Sequence, residues 1–136
     1  MDTLMQADHN LAAPPRRHII VADDEPLIRY CVAGIARRCF PSAAISAVND
    51  GHVALQLYEQ CGADLLITDN SMPQLGGLDL VRILRSRQAT IPILMLSADG
   101  KVAESAYAAG VTRFIKKDLG MGNLAQAVAD LLPPRL

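Results

Sequence analysis

The segment LLITDNSMP, Leu65 to Pro73, sets an unbroken apolar run against a carboxylate at Asp69 and closes on Met72-Pro73. Such a run fits a strand buried on both faces, and a carboxylate at its end suggests a positioned nucleophile. Three more runs end in chemistry of their own. Upstream, HIIVADDEP ends in the adjacent carboxylates Asp23 and Asp24, and downstream LMLSAD and FIKKD end in Ser97 and Lys117.

Working outward, strand-length apolar runs span His18 to Ala22, Ala43 to Val48, Leu65 to Thr68, Ile91 to Leu96 and Thr112 to Ile115. Helical spacing fills the stretches between them. After the first strand, Leu27, Ile28, Cys31, Val32 and Ile35 share a face, with Pro26 suited to a first helical turn. After the second, Val53, Ala54, Leu57, Tyr58 and Cys61 repeat that spacing behind Asp50, a good N-cap residue. Leu80, Val81 and Leu84 mark a third helix. An Ala-rich, weakly amphipathic fourth runs from about Lys101 to Ala109 and stops at Gly110, while Leu124, Val128, Leu131 and Leu132 mark the last. Five alternating β and α units with near-continuous apolar strands imply an α/β, doubly wound parallel sheet covered on both faces. In such sheets the binding crevice lies at the carboxyl ends of the strands. All four polar endings fall there.

The bulk numbers bound the rest. At 136 residues one domain suffices, and the expected division is a flexible tail over 1–15, a folded unit over 16–132 and a short tail over 133–136, bracketed by Pro14-Pro15 and Pro133-Pro134. The interior should be aliphatic, because aromatics are few and Trp is absent. A net charge of −1 gives no basic footprint for nucleic acid, and no apolar stretch is long enough for a signal peptide or a membrane span. Cys31, Cys39 and Cys61 form no metal or redox motif, and their helical spacing points to core packing by reduced, cytoplasmic thiols. His52 reads as a solvated helical residue, and Arg16-Arg17 and Arg37-Arg38 as solvated charge.

Asp23, Asp24 and Asp69 in one crevice need a cation: two like charges about 4 Å apart repel by roughly 4 kcal/mol at an effective dielectric near 20. Mg²⁺ suits the set, since it takes one or two carboxylates, keeps waters and completes its shell with phosphate oxygen. Asp69 could then form an aspartyl phosphate, with Lys117 and the Ser97 hydroxyl on the remaining oxygens.

ADDEP, TDNSMPQLGG, LSAD and AAGVTRFIKKD together resemble the receiver domain of bacterial two-component response regulators, from about Arg17 to Leu132. The resemblance implies a flavodoxin-like sheet in the order 2-1-3-4-5. It also implies Asp69 as phosphoacceptor, and Asp23, Asp24, Asp69 and the main-chain carbonyl of Ser71 around Mg²⁺. Ser97 and Phe114 would be the switch pair and Lys117 the conserved-type amine, with Lys116 as the runner-up. Asn70, Ser71 and Asp99 fall at positions that tune phosphoryl lifetime in such domains. Two departures stand out: Asp118 where many receivers have Pro, and Gly76 in place of a polar residue, which should loosen the loop after the acceptor.

With only Pro133 to Leu136 after the last helix, the expected reading is a stand-alone phosphoryl switch. It would take its phosphoryl group from a histidine kinase or histidine phosphotransfer protein, catalyse only its own phosphorylation and dephosphorylation, and signal to a downstream protein as a monomer or a phosphorylation-dependent dimer. The competing readings are a phosphorylation-independent interaction module with the same fold, a haloacid-dehalogenase-type phosphatase and a flavin-binding module. The phosphatase would want its nucleophile after the first strand, and the DDEP loop would repel a bare phosphate.

Overall fold

The computed structural model describes residues 16–117 and 121–133. Five strands, β1 (His18–Ala22), β2 (Ala44–Val48), β3 (Leu65–Asp69), β4 (Ile93–Ser97) and β5 (Arg113–Lys116), alternate with α1 (Pro26–Cys39), α2 (Gly51–Cys61), α3 (Gly77–Ser86), α4 (Ala103–Ala109) and α5 (Leu124–Leu131). Short 3₁₀ turns at Gly100–Val102 and Met121–Asn123 lead into α4 and α5. The strands form one parallel sheet in the order β2-β1-β3-β4-β5, which is the expected flavodoxin-like arrangement.

Side chains alternate along each strand, so the sheet feeds two cores. Ile19, Val21, Leu65, Ile67, Leu94, Leu96 and Ile115 meet α1 and α5 on one face, and Ile20, Ala22, Leu66, Ile93 and Met95 meet α2, α3 and α4 on the other. Both layers are aliphatic, as the composition required. Leu80, Val81 and Leu84 are buried as expected, whereas α4 buries only Ala106. The α4 helix ends at Gly110, whose φ of 114° is a backbone state that favours glycine.

Three strand starts shift. Pro92 has no N–H to donate, so β4 begins at Ile93 rather than Ile91, although the Pro92 carbonyl still accepts from Leu66 N–H at 3.2 Å. The Ala43 N–H closes a turn on the Phe40 carbonyl, so β2 begins at Ala44. The third shift is one residue, with β5 beginning at Arg113.

The inner faces of α1 and α2 also need correcting. Val32, Ala33 and Ala36 are the buried residues of α1, with Ile28, Ile35 and Cys39 packed beside them, while Leu27 is 72% exposed and Cys31 faces solvent. In α2, Ala54 and Leu55 face inward, and Val53 and Cys61 face out. Small alanines let a helix lie close to the sheet, so the contact line follows them rather than the bulkiest side chains. Two of three cysteines are therefore at the surface, which corrects the core assignment; Cys39 alone is half-buried, its Sγ 3.6 Å from the Ala125 carbonyl.

Asp50 does cap α2, accepting the Val53 N–H at 2.9 Å. The arginines at the start of the folded part are engaged rather than simply solvated. Arg16 donates to the Ser42 and Ala43 carbonyls, and Arg17 lies over the Phe40 ring and donates to the Pro133 carbonyl. His18 bonds the Gly62 carbonyl and the Ser46 hydroxyl, and His52 is exposed as expected. Among the described residues no helix is long and apolar enough to cross a membrane.

Candidate active site and metal centre

The strand order reverses between β1 and β3, and the polar strand endings converge at the carboxyl end of that crossing. Asp23 follows β1, where its N–H extends the ladder to the Val48 carbonyl at 3.0 Å. Asp69 is the last residue of β3 and Ser97 the last of β4, while Lys117 directly follows β5. Asp69 pairs in register with Leu96, and Ser97 with Lys116, so these side chains stand in neighbouring rows.

Burial separates the acids into two kinds. Asp23 and Asp69 are only 2% and 4% exposed, whereas Asp24 and Glu25 are exposed. One ligand oxygen from each of the four lies within 4.8 Å of the others. Lys117 joins them, its Nζ standing 2.8 Å from Glu25 Oε1, 3.2 Å from Asp23 Oδ2 and 3.4 Å from Asp69 Oδ2. The geometry thus brings Lys117 into the pocket, while Lys116 is exposed on the strand.

Backbone donors aim the two buried acids. Glu25 N–H donates to Asp23 Oδ1 at 2.9 Å, and Asn70 N–H donates to Asp69 Oδ1 at 2.8 Å. Asp23 Oδ2 is buried with an ammonium nearby but no hydrogen bond of good geometry, an unsatisfied acceptor that calls for a cation. Four carboxylates, one of them carrying this open oxygen, make a hard oxygen-donor set that fits Mg²⁺. Ser71 is exposed.

The loop after Asp69 is tied down rather than loosened by Gly76. Asn70 accepts the Gly77 N–H on its carbonyl at 2.8 Å and the Leu78 N–H on Oδ1 at 3.1 Å, so it caps α3 where Gly76 has no side chain to do so. Gly77 packs its Cα directly against the Asp69 main chain. Ser97 is buried, and its Oγ accepts the Asp99 N–H at 3.1 Å, which leaves the hydroxyl proton free to donate. Asp99 itself accepts from Lys101 N–H. Phe114 is half-buried against the α2 to α4 face, and its N–H donates to the Tyr107 hydroxyl at 2.9 Å. Asp118 lies outside the described residues, as do 1–15, 119–120 and 134–136.

Reading the sequence missed Glu25, which belongs to the acid cluster and is the hydrogen-bonded partner of Lys117. Its place directly after the acid pair was the available signal.

Electrostatics sharpen the picture. Burial pushes the Asp23 carboxyl up, more than the Glu25 N–H and Lys117 pull it down. Burial likewise raises Asp69, and the Asp23 charge adds to it. Lys117 is raised, because its bond to Glu25 and the charges of Asp23 and Asp69 outweigh its burial. A raised carboxyl contributes stability that is present below its unfolded value and lost as pH rises through its folded value. Ionising Asp69 therefore strains the metal-free fold. Asp69→Asn is expected to raise the metal-free melting temperature by about 2–4 °C, equivalent to roughly 1 kcal/mol. The gain should shrink as pH falls through the raised Asp69 value; a melting temperature below wild type at neutral pH would refute the strain.

The chain matches the response regulator receiver domain family over residues 19–129. It is 32% identical over 117 residues to the glycerol metabolism activator of Pseudomonas putida, covering 84% of this chain and 53% of that protein. The chain thus spans about half the length of that relative. The signal receiver domain of NarL from Mycobacterium tuberculosis superposes with a TM-score of 0.76 at 27% identity, covering 90% of this chain and all (100%) of that one. Chemotaxis response regulator CheY4 of Vibrio cholerae, at 24% identity and a TM-score of 0.75 over 87% of this chain and 100% of its own, shares the fold.

Proposed function

The chain belongs to the response regulator receiver domain family, and on that premise we propose that Asp69 accepts a phosphoryl group from a histidine kinase or histidine phosphotransfer protein and that the chain signals through contact with another protein. The observation that carries this reading is a buried strand-end carboxylate with a second buried carboxylate and an ammonium in reach of it. Such an acid has an oxygen to attack with and a site prepared for added negative charge.

An Asp69 oxygen forms its bond to phosphorus as the bond from phosphorus to the donor imidazole nitrogen breaks. The nitrogen keeps that electron pair and takes a proton from solvent. Asn70 N–H holds the other Asp69 oxygen, which fixes the direction of attack. Lys117, already 3.4 Å from Asp69 Oδ2, moves to a phosphoryl oxygen, and the Ser97 hydroxyl donates to another. Asp23, Asp24, Asp69 and the Ser71 carbonyl would hold Mg²⁺, which when bound neutralises charge on the phosphoryl oxygens. The chain on this reading turns over no substrate beyond its own acceptor. It works as a soluble cytoplasmic receiver over 16–132, with Phe114 following Ser97 between two states.

Acetyl phosphate, added with and without MgCl₂ and read by intact mass, tests the proposal. Wild type should gain one phosphoryl adduct that needs Mg²⁺, and Asp69→Asn should gain none. Adduct-free wild type with every donor would favour a phosphorylation-independent interaction module. Rapid turnover of a generic phosphate ester would favour a phosphatase.

A further inference from the structure

Lys117 serves three carboxylates at once, and unequally. Its hydrogen bond goes to Glu25 at 2.8 Å, while Asp23 Oδ2 at 3.2 Å has no hydrogen bond and Asp69 Oδ2 lies at 3.4 Å. The buried acids have most to gain from a donor, yet the ammonium is turned toward Glu25, whose side chain keeps 59% of its surface in solvent. The Glu25 backbone is fixed: its N–H donates to Asp23 Oδ1 at 2.9 Å, its carbonyl accepts the Arg29 N–H at 2.9 Å, and Pro26 follows it. Glu25 occupies the N-cap of α1, but its side chain makes no capping bond. It reaches instead to a lysine 92 residues away.

We propose that Glu25 is a positioning residue for the phosphoacceptor reaction: in the metal-free protein it keeps the Lys117 ammonium hydrogen-bonded to its own carboxylate, so that Asp23 Oδ2 is left without a hydrogen bond and available to a divalent cation. The inference rests on reading Asp69 as the acceptor. Without Glu25 the ammonium settles onto the two buried carboxylates, and a cation entering the pocket must first displace it. With Glu25 present, Lys117 yields those oxygens while keeping a partner.

Two variants separate reach from charge. Glu25→Gln keeps the length and loses the charge, and Glu25→Asp keeps the charge but falls a methylene short. Titration with MgCl₂, followed by backbone amide NMR shifts, gives the affinity, and the Lys117 ¹⁵Nζ resonance of the metal-free protein reports the ammonium. Both variants should move that resonance, and both should bind Mg²⁺ roughly three- to fivefold more weakly, the scale of one partly exposed ion pair. Acetyl phosphate labelling should slow in both below saturating Mg²⁺ and recover at saturation. Wild-type affinity in Glu25→Asp with a weaker Glu25→Gln would overturn the proposal in favour of through-space charge. A stationary Lys117 resonance with weakened binding would overturn it in favour of direct metal ligation by Glu25, and unchanged behaviour of both variants would overturn it outright. Wild type that forms no adduct removes the acceptor reading, while the Lys117 resonance still decides whether Glu25 holds the ammonium.

Discussion

Gly77→Ala is expected to destabilise the protein by about 3 kcal/mol, at the upper end for forced overpacking, and to disable phosphoryl acceptance with it. A Cβ at Gly77 would stand 2.1 Å from the Asp69 carbonyl oxygen, 2.9 Å from Asn70 Cα and 3.0 Å from the Asp69 carbonyl carbon. All three are backbone atoms, so no flexible side chain can swing away. The strand end carrying Asp69 must shift or α3 must lift, and α3 is pinned by buried Leu80, Val81 and Leu84. Moving the acceptor costs alignment, and a displacement of about 1 Å can lose on the order of a hundredfold in rate. The melting temperature should fall by about 10 °C for a domain of this size. Urea unfolding and acetyl phosphate labelling of the variant measure both effects; wild-type stability would show that the close approach is not binding on the fold.

Lys117→Met is the second large effect. It removes the ammonium from between Asp23 and Asp69, which are nearly sealed from solvent, and leaves two buried carboxylates facing each other. Removing one partner of a buried pair costs about 3 kcal/mol, and the metal-free variant should lose approximately that at neutral pH. The sign with pH follows from the raised carboxyls: as pH falls through their folded values both become neutral, and the deficit should shrink. Lys117 itself, raised above its ordinary value, supplies its stabilisation while those carboxylates are ionised, and on the alkaline side loses it as pH rises through its own folded value. Added MgCl₂ should restore most of the lost stability at neutral pH. Chemical unfolding with and without the salt measures this, and a variant as stable as wild type without Mg²⁺ would show that the charges are not strained.

The sheet was legible because its strands are apolar on both faces, and LLITD and ILMLS carry that pattern without interruption. Pro92 marked the largest of the three strand-start shifts, two residues in β4. Helix faces were harder, because spacing alone does not say which of two adjacent stripes docks. Leu27 and Val53 have the bulk for a core, but Ala33, Ala36 and Ala54 permit the closest approach and took the contact. The acids and Lys117 could be assembled from strand ends, since parallel topology brings those ends together. Glu25 could have joined the cluster from its place after Asp24, but its side-chain bond to a residue 92 positions away is encoded by no local pattern. The same holds for the Tyr107 hydroxyl on the Phe114 N–H.

Signalling by this chain turns on which atom takes the phosphoryl group. Borohydride reduction of protein labelled with acetyl phosphate and Mg²⁺, followed by tandem mass spectrometry, converts an aspartyl phosphate into a residue that marks its own position. The expected result is reduction confined to Asp69; reduction at Asp23 or Asp24, or label carried on a histidine or serine instead, would contradict it.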